Sequence, residues 1–295
     1  MISIIICSRN SFDLQKVLLN VETTIGVEFE PVVIDNSNGQ YTIFEAYNLG
    51  INLSKGDLLC FMHEDIAFET QGWGKRVVEI FDSNLNLGLL GVAGSSYKPS
   101  VPSGWSFPEA RTDTFYMNIV QHRKGSEPSC TIYINPRNEA LSKVVSVDGV
   151  WFCTTREVVK DIKFDDITFN NFHCYDIDFS LSVLQKYDVA VTFEILIHHF
   201  SEGSFNDSWI TETLKLHNKW NSILPINLDN ISVETQEEEE FKAFHSILPR
   251  LIGKRELSLG VAKSLWLSKA PGLVGVKKFA LMNLVLLKKA FDGAK

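Results

Sequence analysis

The chain has 295 residues, of which 45% are hydrophobic and 22% charged, enough apolar material for one large domain, or one domain with an appendage, around a sizeable core. The net charge of -8 argues against non-specific nucleic-acid binding by the whole chain. It conceals an asymmetry, because residues 241–295 carry 9 Lys and 2 Arg against Glu256 and Asp292, a net of +9 that leaves residues 1–240 at -17.

The first apolar run, Ile2 to Cys7, is too short for the core of a signal peptide and lacks a basic region before it, so secretion is not expected. No run approaches the length expected of a bilayer-crossing helix. The five cysteines (Cys7, Cys60, Cys130, Cys153 and Cys174) include no C-x-x-C pair, and some lie in strand-like runs. Reduced, buried thiols in a cytoplasmic protein are therefore expected, rather than disulfides or a zinc cage.

In chain order, "SIIICS" (3–8), "FEPVVID" (29–35), "DLLCFMHED" (57–65) and "LGLLGVAG" (87–94) are short, continuous apolar runs. "SFDLQKVLLNVETTIG" and "TIFEAYNLGINLS" lie between the first three and have helical spacing. This alternation predicts an α/β protein, a mostly parallel central sheet with helices on both faces. Ligands of such sheets collect beyond the carboxyl ends of the strands. There the first three runs end in "CSRN", "DNSNG" and "HED", three polar clusters brought to one edge.

Residues 95–146 are rich in Pro and Gly, and "FYMNIVQHR" and "CTIYINP" around "KGSEPS" read as a hairpin in an inserted rim. "SVDGVWFCTT" resumes strand character. "YDIDFSLSVLQKYDVAVTFEILIHHFSEGSF" then reads as a helix with acids in its first turn, a strand and a polar exit. "NDSWITETLKLHNKW" predicts another helix, followed by a linker containing "EEEE" (237–240) and a basic, amphipathic helical tail. Residues 1–205, 206–240 and 241–295 are the expected divisions.

The order of these pieces resembles the family 2-like inverting glycosyltransferases of the GT-A fold over residues 2–205. "SIIICSRN" is similar to the family's first strand, and "VVIDNSNG" to its acidic second-strand end. "AYNLGINLSKGDLLCFMHED" is similar to the run from an Asn-x-Gly helix to a metal-binding D-x-D. "VDGVWFCTTREVVKDIKFDD", "YDIDFSL" and "IHHFSEGS" resemble the Asp-Gly strand, the helix start supplying the base, and the closing His segment.

The resemblance implies a metal-dependent inverting glycosyltransferase that moves a sugar from a nucleotide-diphosphate donor to a hydroxyl of a glycan or lipid-linked acceptor. The diphosphate calls for a divalent cation, Mn²⁺ or Mg²⁺, with Asp65 as the first ligand and His199 as a further one. Strand alternation points only one of His198 and His199 into the site, and the pattern favours His199. Asp176 stands where the family's catalytic base does. Ser8, Arg9, Asp35, Asn36, Asn48, His63 and Glu64 are the nucleotide-sugar candidates, although Glu64 also suits a bond to a loop amide, and Asn36 and Ser37 suit a turn.

Two positions depart from the pattern: His63 replaces the first acid of D-x-D, and Tyr175 replaces the acid before the base. His63 is open between metal ligand, nucleotide contact and a mark of lost activity, which keeps a catalytically degenerate nucleotide-sugar-binding or scaffold protein as the alternative. A nucleotidyltransferase ranks lower, because "CSRNSFD" has no Gly-rich phosphate loop. The tail predicts either a peripheral contact with an anionic membrane surface or helices packed on the catalytic domain or a second subunit.

Overall fold

The computed structural model describes residues 1–291 apart from 108, 109, 124, 125, 202 and 204, so part of the expected "KGSEPS" turn and the tail charges Asp292 and Lys295 lie outside it. The chain begins with strand β1 (Ile2–Ser8), helix α1 (Ser11–Thr24), β2 (Phe29–Asp35), α2 (Ile43–Leu53) and β3 (Leu58–Met62). Local chemistry sets the helix starts. Asn10 caps α1 by accepting from the Phe12 amide, and Thr42 and Glu45 form a reciprocal capping box on α2.

Next come β4 (Ile66–Phe68), α3 (Trp73–Ser83), β5 (Leu87–Gly91), β6 (Ala93–Ser95) and β7 (Tyr97–Lys98). The expected hairpin forms as β8 (Phe115–Arg123) and β9 (Ser126–Ile134), in antiparallel register. After it run β10 (Leu141–Lys143), β11 (Ser146–Val147), β12 (Trp151–Thr155), α4 (Arg156–Asp161), α5 (Tyr175–Leu184), β13 (Asp188–Thr192) and β14 (Ile197–His199). The chain closes with α6 (Asp207–Trp220), β15 (Ile226–Asn227), α7 (Val233–Ile247), α8 (Arg255–Leu267) and α9 (Ala270–Phe291).

The central sheet has the order β10-β13-β5-β12-β3-β1-β2. β1 runs parallel to both β2 and β3, and β13 parallel to β5, whereas β12 enters antiparallel between β3 and β5. β3 is buried on both faces: Leu59 and Phe61 join the core under α2 and α5, while Cys60 and Met62 join the core under α1 and α3. A second sheet, β11-β6-β8-β14-β4 with β9 beside β8, stands against the carboxyl edge of the first and forms the rim expected of the middle segment.

Three expectations are corrected. Cys60 and Cys153, directly opposite in the β3–β12 register, are joined as a disulfide, so these two cysteines are not the reduced thiols that the absence of a C-x-x-C pair suggested. The pairing is set by strand register, which sequence spacing does not reveal. The acidic run 237–240 is helical within α7, with Glu239 and Glu240 buried, rather than a linker. The tail helix is longer than its nine-residue apolar run implied: Ala270–Phe291 is long and apolar enough to cross a membrane by length and composition alone. However, Gly275 has φ 75° and breaks it, leaving a continuous part from Val276 of about 24 Å at 1.5 Å per residue, short of a ~30 Å bilayer core.

The C-terminal helices pack on the rest through a third core joining Val101, Phe107 and Trp209 to Phe244, Leu265 and Met282. Glu240 makes the polar connection: its carboxylate accepts from Tyr97 Oη (2.9 Å), Ser100 N (2.8 Å) and Val101 N (2.8 Å) in a fully buried site. Removing it orphans two buried amides and a hydroxyl. Glu240→Ala is expected to lower unfolding stability by about 3 kcal/mol, seen as a lower urea midpoint, and Glu240→Gln by less.

Candidate active site

The carboxyl ends of β1 and β3, the start of α5 and the second sheet enclose a cavity of about 840 Å³. Its shape begins with Glu64. The Glu64 carboxylate accepts from Ser8 Oγ (2.6 Å) and from the backbone amides of Arg9 and Asn10, tying the end of β3 to the loop that leads from β1 into α1. Ser8 and Glu64 thereby shape the loop that carries Arg9, which lines the cavity.

His63, Asp65 and His199 converge on the cavity, each with a donor atom within 4.8 Å of the others. Their surroundings orient both imidazoles. Tyr175 Oη lies 2.7 Å from His63 Nε2 and 3.1 Å from the Gly149 carbonyl. One arrangement satisfies both contacts: the hydroxyl donates to the carbonyl and accepts from Nε2–H, leaving the Nδ1 lone pair 3.7 Å from Asp65 Oδ1. Burial lowers the His63 pKa, opposed by the Asp65 charge, so a neutral ring is favoured.

Gly149 is required for this contact, since a Cβ there would meet Tyr175 Oη at 2.1 Å. His199 is held in a similar way. Gln121 donates through Nε2 to the Ser201 carbonyl (2.7 Å), which turns its Oε1 to accept from His199 Nδ1 (3.1 Å). Nε2 of His199 is left as the outward lone pair, with the Ser201 hydroxyl at 3.3 Å. His198 faces the other way, between His122 (2.9 Å) and Glu69 (3.0 Å).

Asp176 lines the same cavity in the first turn of α5. Its carboxylate accepts from Gly149 N (3.0 Å) and Ile177 N (2.9 Å). Burial and then the charge of Asp148 push its pKa up to about 7, against those two amides. Asp148 and Gln121 are cavity residues absent from the expected set. Asp148 had a signal in its Asp-Gly motif, but nothing in the sequence distinguished Gln121 from any other strand glutamine.

Asp35, Asn36 and Asn48 do not line the cavity. Asp35 is exposed at the end of β2 and accepts from Ser37 N, and this backbone bond together with the Ser37 hydroxyl lowers its pKa. Asn36 is buried and closes the turn to Tyr41 through bonds of 2.9 Å in both directions. Asn48 ties α2 to the 164–166 turn, donating to Phe164 O and accepting from Phe164 N.

A family model described as glycosyltransferase like family matches residues 3–222. No curated protein sequence matches the chain. Among solved structures, the fold is similar to S. aureus TarS 1-349 in complex with UDP-GlcNAc, at 10% identity and TM-score 0.61 over 99% of this chain and 89% of that one. The same protein in complex with UDP gives 11% identity and TM-score 0.61 over 99% and 88%. GalNAc-T7 with UDP, GalNAc and Mn²⁺ matches at 9% identity and TM-score 0.51 over 76% of this chain, which spans about half the length of that protein (48%). The fold is GT-A, as the central sheet and its helices indicated.

Tyr175→Phe removes the acceptor for His63 Nε2–H. Long-range ¹H–¹⁵N spectra of the imidazoles are expected to show neutral His63 as the Nε2–H tautomer in the wild type and as a mixture in the variant. An unchanged tautomer would contradict the assigned hydrogen-bond direction.

Proposed function

The chain belongs to the glycosyltransferase-like family, and on that footing we propose that it is a metal-dependent inverting enzyme transferring a sugar from a nucleotide-diphosphate donor to an acceptor hydroxyl. One observation carries the proposal: the His63–Asp65–His199 cluster and Asp176 line the same cavity. The UDP complex of TarS and the UDP- and Mn²⁺-containing structure of GalNAc-T7 support a uridine donor and a divalent cation for this chain as well.

Asp65 and the two imidazoles suit a divalent ion, with nitrogen ligands favouring Mn²⁺ over Mg²⁺. When bound, the ion supplies Lewis-acid stabilisation of the departing diphosphate. In this mechanism Asp176 accepts the proton of the acceptor hydroxyl as that oxygen bonds to the anomeric carbon and the bond from carbon to phosphate oxygen breaks on the opposite side, inverting the centre. Gly149 N and Ile177 N hold the carboxylate in place for this step. Arg9 is the residue proposed to meet donor phosphate at the cavity rim. The acceptor reading is a glycan or lipid-linked hydroxyl.

Release of nucleoside diphosphate from a panel of UDP-sugars is the test, with oligosaccharide and lipid-linked acceptors. Turnover that EDTA abolishes and Mn²⁺ restores is expected, and Asp176→Asn is expected to retain no more than about 1% of it. Metal-dependent donor binding without turnover for any donor and acceptor would favour the scaffold reading, which rests on the departures at His63 and Tyr175.

A base works in its ionised form, so activity is expected to rise with pH through about 7, the Asp176 value. Asp148→Asn removes the like charge that raises it, so the rising limb of kcat/KM is expected to move to lower pH, measured as a full pH–rate profile of both proteins.

A further inference from the structure

Helix α9 has two apolar faces, and among the described residues only one is covered. Beyond Gly275, Phe279, Met282 and Leu286 are buried in the core shared with α7 and α8. Val276, Leu284, Leu287 and Phe291 are exposed, at 83, 63, 45 and 55%. With Ala280 they recur at helical spacing and form one strip along the outer face. At 100° per residue, Lys277 and Lys288 border that strip. On α8, Trp266 is 66% exposed with its ring 4.8 Å from that of Phe279, and the Arg255 guanidinium lies 5.3 Å over the Phe291 ring. A contiguous exposed apolar strip with a cationic border marks a contact surface.

Charge selects the partner. Residues 241–295 carry +9 and residues 1–240 carry -17, so the strip lies in the basic segment of an otherwise acidic chain. A second copy meeting it about a two-fold axis would set lysine border against lysine border, whereas an anionic surface complements it. The break at Gly275 and the buried inner face exclude a straight span by α9 alone, and suit a helix lying in the interfacial plane.

We infer that α8 and α9 form a docking face for an anionic phospholipid surface, with Val276, Leu284, Leu287 and Phe291 entering the headgroup–acyl boundary and Lys277 and Lys288 at the headgroups. The inference is independent of the chemistry assigned to the cavity.

Flotation of the full chain with phosphatidylcholine vesicles, with and without phosphatidylglycerol, tests it. Binding is expected only to the anionic vesicles and is weakened by salt. Lys277→Gln/Lys288→Gln is expected to lower partitioning roughly 30-fold, about fivefold per lysine. Leu284→Ser/Leu287→Ser is expected to lower it at unchanged charge, and both variants should melt as the wild type does because the replaced side chains are exposed. Equal binding to neutral and anionic vesicles, or unchanged partitioning of both variants, would overturn the inference. So would a stable dimer that does not float and that the leucine variant separates, since the strip would then be an interface between copies.

Discussion

The hydrogen bond between His63 and Tyr175 is the contact on which the candidate site depends. It joins the end of a central strand to the start of α5, elements separated by 112 residues, and aligns a ring nitrogen with Asp65. The two residues are also the two departures from the family pattern. They are physically one change: a tyrosine hydroxyl already committed to the Gly149 carbonyl has a lone pair to offer, and an imidazole N–H satisfies it where a carboxylate would not. His63 and Tyr175 therefore read as a matched pair, rather than as two independent losses.

Around that contact the cavity gathers acids. Asp65, Asp148 and Asp176 line one cavity, and burial, then the charge of Asp148, raises the Asp176 pKa. Such a cluster suits a bound cation and a buried proton, which is what the proposed displacement of a diphosphate by a hydroxyl would call on. Glu64 does not add to this charge in the same way, because its oxygens are engaged by the loop before α1; a carboxylate next in sequence to Asp65 serves as scaffold. Both residues lie in the bend between β3 and β4, where Glu64 turns back to the loop before α1 and Asp65 to the two imidazoles.

The parts of the fold legible in sequence were those set by local patterning. The apolar runs 3–8, 29–35 and 57–65 became β1, β2 and β3, and the capped stretches between them became helices. That Asp65, His199 and Asp176 come to one cavity was legible because the polar ends of strand-like runs and the acidic start of a helix follow one another in a recognisable order. What stayed hidden depends on partners distant in sequence: Gln121 on His199, Cys60 on Cys153, and Glu240 on the Ser100 and Val101 amides. An acidic run in particular looks solvated until the buried donors that face it are known. Asn36 and Asn48 illustrate the converse, residues with motif-like positions whose side chains close a turn and brace a loop.

The two-faced character of α9 bears on how the molecule can be divided. Phe279, Met282 and Leu286 cover Phe244, Ile247 and Leu265 on the neighbouring helices. A chain ending before Val276 would lose the outer strip but uncover that inner surface, exchanging one sticky face for another. Truncation therefore produces a different surface rather than a simpler protein, and the helix is at once a lid on the core and the outermost layer of the fold.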